Sequence, residues 1–387
     1  MSSFSSLHGS NTKISSDGVG PKGTAPSVFW DGSGLESPYS GIANYGLNLF
    51  NAFKKHDVVP TIISSSPPYF GQEQTVIAKP KIFAPIGTSK LFWPEASFSK
   101  AIELAKGRRS VFHGLANINV PIWSKAKNFA TILSVQDLIP MLAPTQVSKH
   151  FFVQFSFAMK RLVQKVDAIV CCSEWTALTV RTMFPNLRAK VFVVRIGRPD
   201  TFVPGNKVDV PGKKSVLTVS RFEPYKNLNV IGTIAQKADA GLTFHIVSDA
   251  RCETFYRKHF SGVLESGRIK LHRNLPENAL ETLFKDADCY FQPSRFEGFC
   301  IPAMTAASHA VPIAYLKGSA IGETALPEFS FGVDRNDPDA FLEAIYLAMK
   351  KRESPHFLEN TKELFLKFPT WDDAALKLKN LYTDLAP

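Results

Sequence analysis

The string Pro293-Ser294-Arg295-Phe296-Glu297-Gly298-Phe299-Cys300-Ile301-Pro302 places a carboxylate beside a glycine where ligand chemistry is expected. Before it, Cys289-Tyr290-Phe291 is an apolar run that reads as a buried strand. After it, Ala303-Met304-Thr305-Ala306-Ala307 reads as the first turns of a helix, with Pro302 at an early position that tolerates proline. The N-terminus of a helix offers unpaired N–H groups and partial positive charge, which suits a phosphate-bearing ligand. A carboxylate next to it can hold hydroxyls of an attached sugar. Taken alone, the same string also suits an ordinary strand–loop–helix corner.

Such a corner needs a sheet to carry it, and the chain supplies two. Ser27 to Asp31 is a short apolar strand ending in an acid, followed by a Gly/Ser/Pro loop and helical spacing from Ile42 to Phe50. Further strands are expected at Val59 to Ile63, Val111 to His113, Thr131 to Val135, Ala168 to Cys172 and Val191 to Val194, with a helix from about Phe151 to Val166. Residues 201–214 are polar and rich in Pro and Gly, and read as a linker. Alternation then restarts with strands at Ser215 to Val219, Thr243 to Val247, Ile269 to Leu271, Cys289 to Gln292 and Val311 to Tyr315. Helices fall from about Leu228, from Glu277 to Lys285, from Ile301, from Pro338 to Lys350 and from Trp371. Strands alternating with helices predict parallel sheets covered on both faces, here in two α/β domains.

The bulk composition agrees. With 387 residues, 44% of them hydrophobic, the chain can bury two cores. No apolar run approaches membrane-spanning length. The Ser/Gly/Lys-rich stretch 1–25 lacks the apolar segment of a signal peptide and reads as a flexible leader. Five cysteines in no zinc or disulfide pattern favour a reducing compartment. Charge is uneven: residues 1–205 carry 22 Lys+Arg against 11 Asp+Glu, whereas residues 206–387 carry 23 of each. A basic half suits an anionic membrane surface or lipid phosphate, and equally a basic surface kept for solubility. Nothing resembles a nucleic-acid-binding module.

The string around Glu297 resembles P-S-x-x-E-G-F-G-x-P-x-x-E of the family 4 retaining glycosyltransferases, with Cys300 for the second glycine and Thr305 for the second glutamate. Ser220-Arg221-Phe222-Glu223-Pro224-Tyr225-Lys226 resembles the family's G-R-x-x-x-x-K, Ser40-Gly41-Ile42-Ala43-Asn44-Tyr45 its G-I-x-R-Y, and Val135-Gln136-Asp137-Leu138-Ile139-Pro140 the V-H-D-L-I-P of mannosyltransferase-like members. Gly318 to Glu323 is similar to a small-residue loop ending in a glutamate; a helix-capping or core role for Glu323 and a ligand role stand equal there.

The resemblance implies a GT-B fold, two doubly wound Rossmann-like domains facing a central cleft. It implies an acceptor-side domain at 26–200, a nucleotide-sugar domain at 201–370 and a final helix, 371–387, crossing back to the first domain. It implies donor contacts from Gly41, Arg221, Lys226, Gly298, Phe299, Cys300, Ile301 and Thr305, and catalytic or sugar-side roles for Glu297, Asp137 and Gln136. Gln136 can hydrogen-bond a sugar hydroxyl but cannot titrate. Asp137 also suits a loop-fixing role. The implied activity is retaining transfer of a hexose from a GDP- or UDP-linked donor to a glycan, lipid-linked or other hydroxyl acceptor, in cell-surface polysaccharide or glycoconjugate assembly. No cofactor and no metal are expected, because two fixed cations and a helix N-terminus can stabilise a leaving diphosphate. The expected location is cytoplasmic, with peripheral contact at the inner face of the membrane. The second reading is a catalytically degenerate binding or scaffold protein, supported by Gln136 and Thr305.

Overall fold

The computed structural model describes residues 25–37, 40–78, 89–205, 211–326 and 328–387. The leader up to residue 24 and linker positions 206–210 lie outside them. The first sheet contains β1 (Ser27–Asp31), β2 (Thr61–Ser64), β3 (Thr75–Ile77), β4 (Ser110–Gly114), β5 (Phe129–Val135), β6 (Ala168–Cys171) and β7 (Lys190–Val193). The second contains β8 (Lys214–Val219), β9 (Leu242–Val247), β10 (Ile269–His272), β11 (Cys289–Gln292), β12 (Ile313–Leu316) and β13 (Ser330–Val333). Every pairing is parallel, in the orders β3-β2-β1-β4-β5-β6-β7 and β10-β9-β8-β11-β12-β13. The predicted class is therefore the observed one: two doubly wound α/β domains.

Both orders reverse direction at one point, between β1 and β4 in the first sheet and between β8 and β11 in the second. The crevice at such a point, outside the carboxyl ends of the strands, is where open α/β sheets take ligands. The loop after β8 carries Arg221 and Lys226, and the loop after β11 carries Glu297. The two motifs read as separate in the sequence thus flank one crevice. Strands β4, β5 and β6 are buried along their whole length, as strands covered on both faces must be. β3 and β13 were not anticipated. Both are edge strands of three and four residues with half-buried or exposed side chains, so neither has an apolar period to read.

The final helix, Trp371–Leu385, opens on a capping box in which the Thr370 hydroxyl and the Asp373 carboxylate each accept the other's backbone N–H. It packs on the helix Gly41–Phe53 of the first domain, with Trp371 against Tyr45 and Tyr382 stacked on Phe53. The Tyr382 hydroxyl accepts from Trp30 Nε1 at 3.2 Å and meets His113 Nδ1 at 2.7 Å, while His113 Nε2 meets the Ser134 hydroxyl at 2.8 Å. Burial pulls the imidazole down to about 3, so His113 is neutral and structural. One apolar cluster contains Val28, Trp30 and Val111 of the first sheet together with Phe299, Met304, Trp371 and Tyr382. The two domains and the final helix therefore share a core.

Candidate active site

The loop after β8 makes a single turn of 3-10 helix, Pro224–Lys226, which ends at Asn227 in the left-handed region at φ 57°. Asn tolerates that conformation better than most side chains. Its amide then ties the two loops of the crevice together, donating to Pro293 O at 3.2 Å and to Asn336 Oδ1 at 2.7 Å. Arg295 N donates to Tyr225 O at 2.8 Å, a second tie. Between these ties Lys226 Nζ reaches both oxygens of Glu297, at 2.9 and 2.8 Å. Gln292, a buried polar residue at the end of an apolar strand, donates to Glu297 Oε1 at 2.9 Å and to Ser294 Oγ at 2.6 Å. Its own carbonyl accepts from the Tyr290 hydroxyl at 2.6 Å. Burial, the largest single influence, pulls the Lys226 ammonium down, but Glu297 and Tyr225 together more than offset it and hold the ammonium above its usual range.

Arg221 stands differently. It is exposed and makes no side-chain hydrogen bond or ion pair among the described residues. The crevice thus presents one cation held by a carboxylate and one free to meet an anion. Next to them the helix Ile301–Ser308 opens at Cys300, which lies at φ 75° and ψ 72°. That left-handed corner is the physical reason for a glycine in the resembling motif; with cysteine it stores on the order of 1 kcal/mol. The Cys300 thiol is buried and pushed up, by burial first and by Glu297 second, so it is a protonated group rather than a nucleophile.

The first domain also closes on this crevice. A Cβ on Gly298 would lie 1.9 Å from Gln136 O, a distance only glycine permits. The contact brings Asp137 near Lys226, Glu297 and Arg221, all of which act on its titration. Burial raises the Asp137 carboxyl, and the hydrogen bond from Ile139 N to Oδ1, 3.0 Å, partly offsets this. Asp137 therefore fixes its own loop with one oxygen while standing beside the charged pair of the other domain. Tyr225 belongs to the same group: its hydroxyl is raised by burial and feels Lys226, Asp137 and Arg221.

Other expected site residues lie elsewhere or point elsewhere. The Gln136 amide donates to Leu115 O at 2.9 Å, so its side chain is engaged by its own domain. Phe299 is in the shared core. Thr305 bonds back to Ile301 O at 3.3 Å within its helix. Ile301 is half-buried at the first helical position, where its backbone belongs to the anion-suited end. Gly41 is exposed, with open space where a Cβ would stand. Its helix faces the other domain, since Tyr69, bonded to Asn44 Oδ1 at 3.1 Å, feels the Glu277 carboxylate. Glu323 resolves to a capping role, in the other domain: it accepts from Glu174 N at 2.9 Å and Trp175 N at 2.6 Å. Gln292, Tyr290, Tyr225, Cys172 and Thr176 were missed. Only Gln292 left a signal, a polar side chain closing an otherwise apolar strand.

At the crevice of the first sheet, Asp31 ends β1 fully buried. It accepts from Ser33 N at 3.0 Å, from the Ser33 hydroxyl and from Trp93 Nε1 at 3.2 Å, while among the described residues Oδ2 has no hydrogen-bond partner. Burial raises its carboxyl to about 6 despite those bonds. A carboxyl raised from 3.8 to about 6 stays protonated in the folded protein where the unfolded chain has ionised. Its contribution is thus full below 3.8 and lost as pH rises through about 6, a change on the order of 3 kcal/mol. Denaturant unfolding of Asp31→Asn should lose this limb, gaining stability on wild type as pH rises from 4 toward 7. Parallel stability–pH curves would refute the assignment.

Two doubly wound parallel domains meeting at a phosphate-suited crevice are the GT-B glycosyltransferase architecture. Residues 205–364, which carry the second sheet and its loops, match the family described as "Glycosyl transferases group 1". No curated protein matches the chain. Among solved structures, sucrose-phosphate synthase from Thermosynechococcus elongatus is similar with a TM-score of 0.72 at 16% identity, over 93% of this chain and 99% of that one. The pneumococcal O-GlcNAc transferase GtfA, in complex with UDP and GlcNAc, gives 0.70 at 11% identity over 93% and 99%. HepE of Anabaena, in complex with UDP and glucose, gives 0.69 at 12% over 94% and 100%. At these identities the likeness is one of fold.

Proposed function

We propose that the chain is a retaining hexosyltransferase that moves a sugar from a UDP- or GDP-linked donor to a hydroxyl of a glycan or lipid-linked acceptor, in cell-surface polysaccharide or glycoconjugate assembly. One observation carries the reading: Arg221, Lys226 and Glu297 converge from the two strands flanking the crevice, and Asp137 meets them from the other domain. The departing diphosphate would sit against Arg221, Lys226 and the N-terminus of the helix Ile301–Ser308, which replace a metal ion electrostatically. Glu297, held by Lys226 and Gln292, would take sugar hydroxyls. The departing phosphate can itself accept the acceptor proton in a front-face displacement. A donor screen with a crude membrane or polysaccharide extract tests this. Transfer should occur with at least one nucleotide-sugar and survive EDTA.

A degenerate binding protein is the second reading. Gln136, whose amide is taken by Leu115 O, and Thr305, bonded back onto its own helix, favour it. Calorimetry separates the diphosphate assignment from both: Arg221→Ala should weaken nucleoside-diphosphate binding by about 1.5–3 kcal/mol, the cost of a charge-assisted contact. Unchanged affinity would remove the diphosphate from this loop.

The acceptor side is where the positive charge collects. Residues 138–199 hold nine Lys or Arg against two acids. They include β6 and β7 at one end of the sheet and helices that expose Val153 (58%), Phe157 (40%) and Leu178 (62%) among cations such as Lys160, Arg161 and Arg181. A basic face studded with apolar side chains suits an anionic lipid surface. Among the described residues no helix is long and apolar enough to cross a membrane. The protein should sediment with vesicles containing phosphatidylglycerol and not with phosphatidylcholine alone. Lys160→Glu/Arg161→Glu should abolish this; equal sedimentation of that variant would exclude this face.

A further inference from the structure

The helix Glu174–Met183 begins directly after β6, and its cap is divided between the domains. Ser173, the N-cap, accepts Thr176 N at 3.0 Å from within the first domain. The two remaining first-turn donors, Glu174 N and Trp175 N, are taken by the two oxygens of Glu323 from the second domain. Arg195 of the first domain stands 3.8 Å from the same carboxylate. A carboxylate at a helix N-terminus satisfies orphan N–H groups and meets the positive end of the dipole. Here one side chain does both across a domain boundary.

Both ends of this contact are tied to the candidate site. On the second-domain side, Ala320 N donates to Glu297 O at 3.2 Å and Thr324 Oγ1 to Phe299 O at 2.5 Å, so Glu323 and the Glu297 loop move together. On the first-domain side, Cys172 Sγ lies 3.2 Å from both Gln136 O and Gly298 O, and Thr176 Oγ1 lies 3.4 Å from the same two carbonyls. Each hydroxyl or thiol has one proton for two carbonyls, one in each domain. The chain of contacts runs from Asp137 through the Cys172–Thr176 turn and Glu323 back to Glu297.

We propose that Glu323 is an interdomain latch: by completing the cap of the helix Glu174–Met183 it holds Asp137 in register with Lys226 and Glu297, as a positioning residue for transfer. The cap is whole only when the domains are closed, so opening the cleft exposes two helix-end donors and closure is favoured in the absence of any ligand. The catalytic half of this proposal rests on the transferase reading; the latch itself does not.

Glu323→Ala should enlarge the radius of gyration in small-angle scattering. It should also speed amide exchange at Glu174 and Trp175 by about tenfold or more, as expected when a closed end frays. Glu323→Gln, which keeps one acceptor oxygen, should fall between. Nucleoside-diphosphate affinity should stay near wild type while kcat falls about 10²-fold, the usual consequence of misplacing reacting groups by an ångström. Scattering and exchange unchanged in Glu323→Ala would overturn the latch. An open cleft with unchanged kcat would overturn its positioning role. A wild type inactive with every donor would instead defeat the transferase reading, leaving the latch to be judged by scattering and exchange.

Discussion

Lys226→Ala should unfold more easily than wild type and lose nucleoside-diphosphate affinity at the same time. The ammonium has 16% side-chain exposure and its partner Glu297 7%. Removing one partner of such a pair strands the other charge, at a cost of about 3–5 kcal/mol. Gln292 softens this by retaining one hydrogen bond to Glu297. A lysine that only bound phosphate could be lost without touching stability; the ion pair with Glu297 makes Lys226 a structural residue as well. The two effects can be separated. In Lys226→Ala/Glu297→Gln no charge is stranded, so chemical denaturation should show much of the stability recovered, while calorimetry should show affinity still low. A single variant as stable as wild type would mean that the pair is not closed in solution.

Gly298→Ala should leave the protein folded and reduce kcat/KM by about 10²-fold. The obstacle to a methyl group is the Gln136 carbonyl, which is backbone and cannot rotate away. Relief requires the Glu297–Gly298 loop to withdraw from Gln136–Asp137, that is, the separation of the two halves of the candidate site. Because the clash lies where the domains meet, each sheet keeps its own strand pairing, and any fall in thermal stability should come from the shared core beside Phe299. Kinetics indistinguishable from wild type would show that the domains do not approach this closely in the reacting complex.

The parts of the site that could be read from the sequence were those built locally. Arg221, Lys226 and Glu297 each follow an apolar strand and precede a helical turn, and that pattern alone places them at the carboxyl edge of a sheet. What the pattern could not supply was which edges meet. Lys226 and Glu297 are 71 residues apart, Cys172 and Gly298 are 126, and Trp175 and Glu323 are 148. These pairings depend on strand order and on how one domain sits against the other, and neither leaves a local periodicity. Glycine at 298 shows the limit well: in the string it reads as loop freedom, whereas its φ is unremarkable and its role is to admit a carbonyl from the other domain. The same reasoning covers β3 and β13, short edge strands whose pairing is imposed by a neighbour.

The placement of Trp371–Leu385 has a consequence for how the chain comes to be folded. Trp30 on β1 and Tyr382 are joined across 352 residues, and Trp30, Phe53 and His113 all rely on that tyrosine for packing or hydrogen bonding. Domains commonly fold in the order of synthesis, amino end first. Here the amino-terminal sheet emerges from the ribosome with an apolar face open between β1 and the helix Gly41–Phe53, and the segment that covers it is made only after the whole second sheet. The second sheet, which has apolar clusters of its own, can pack before that helix is made. The nascent first domain must wait, exposed, until that helix has been made, and over that interval it is the part a chaperone would have to shield.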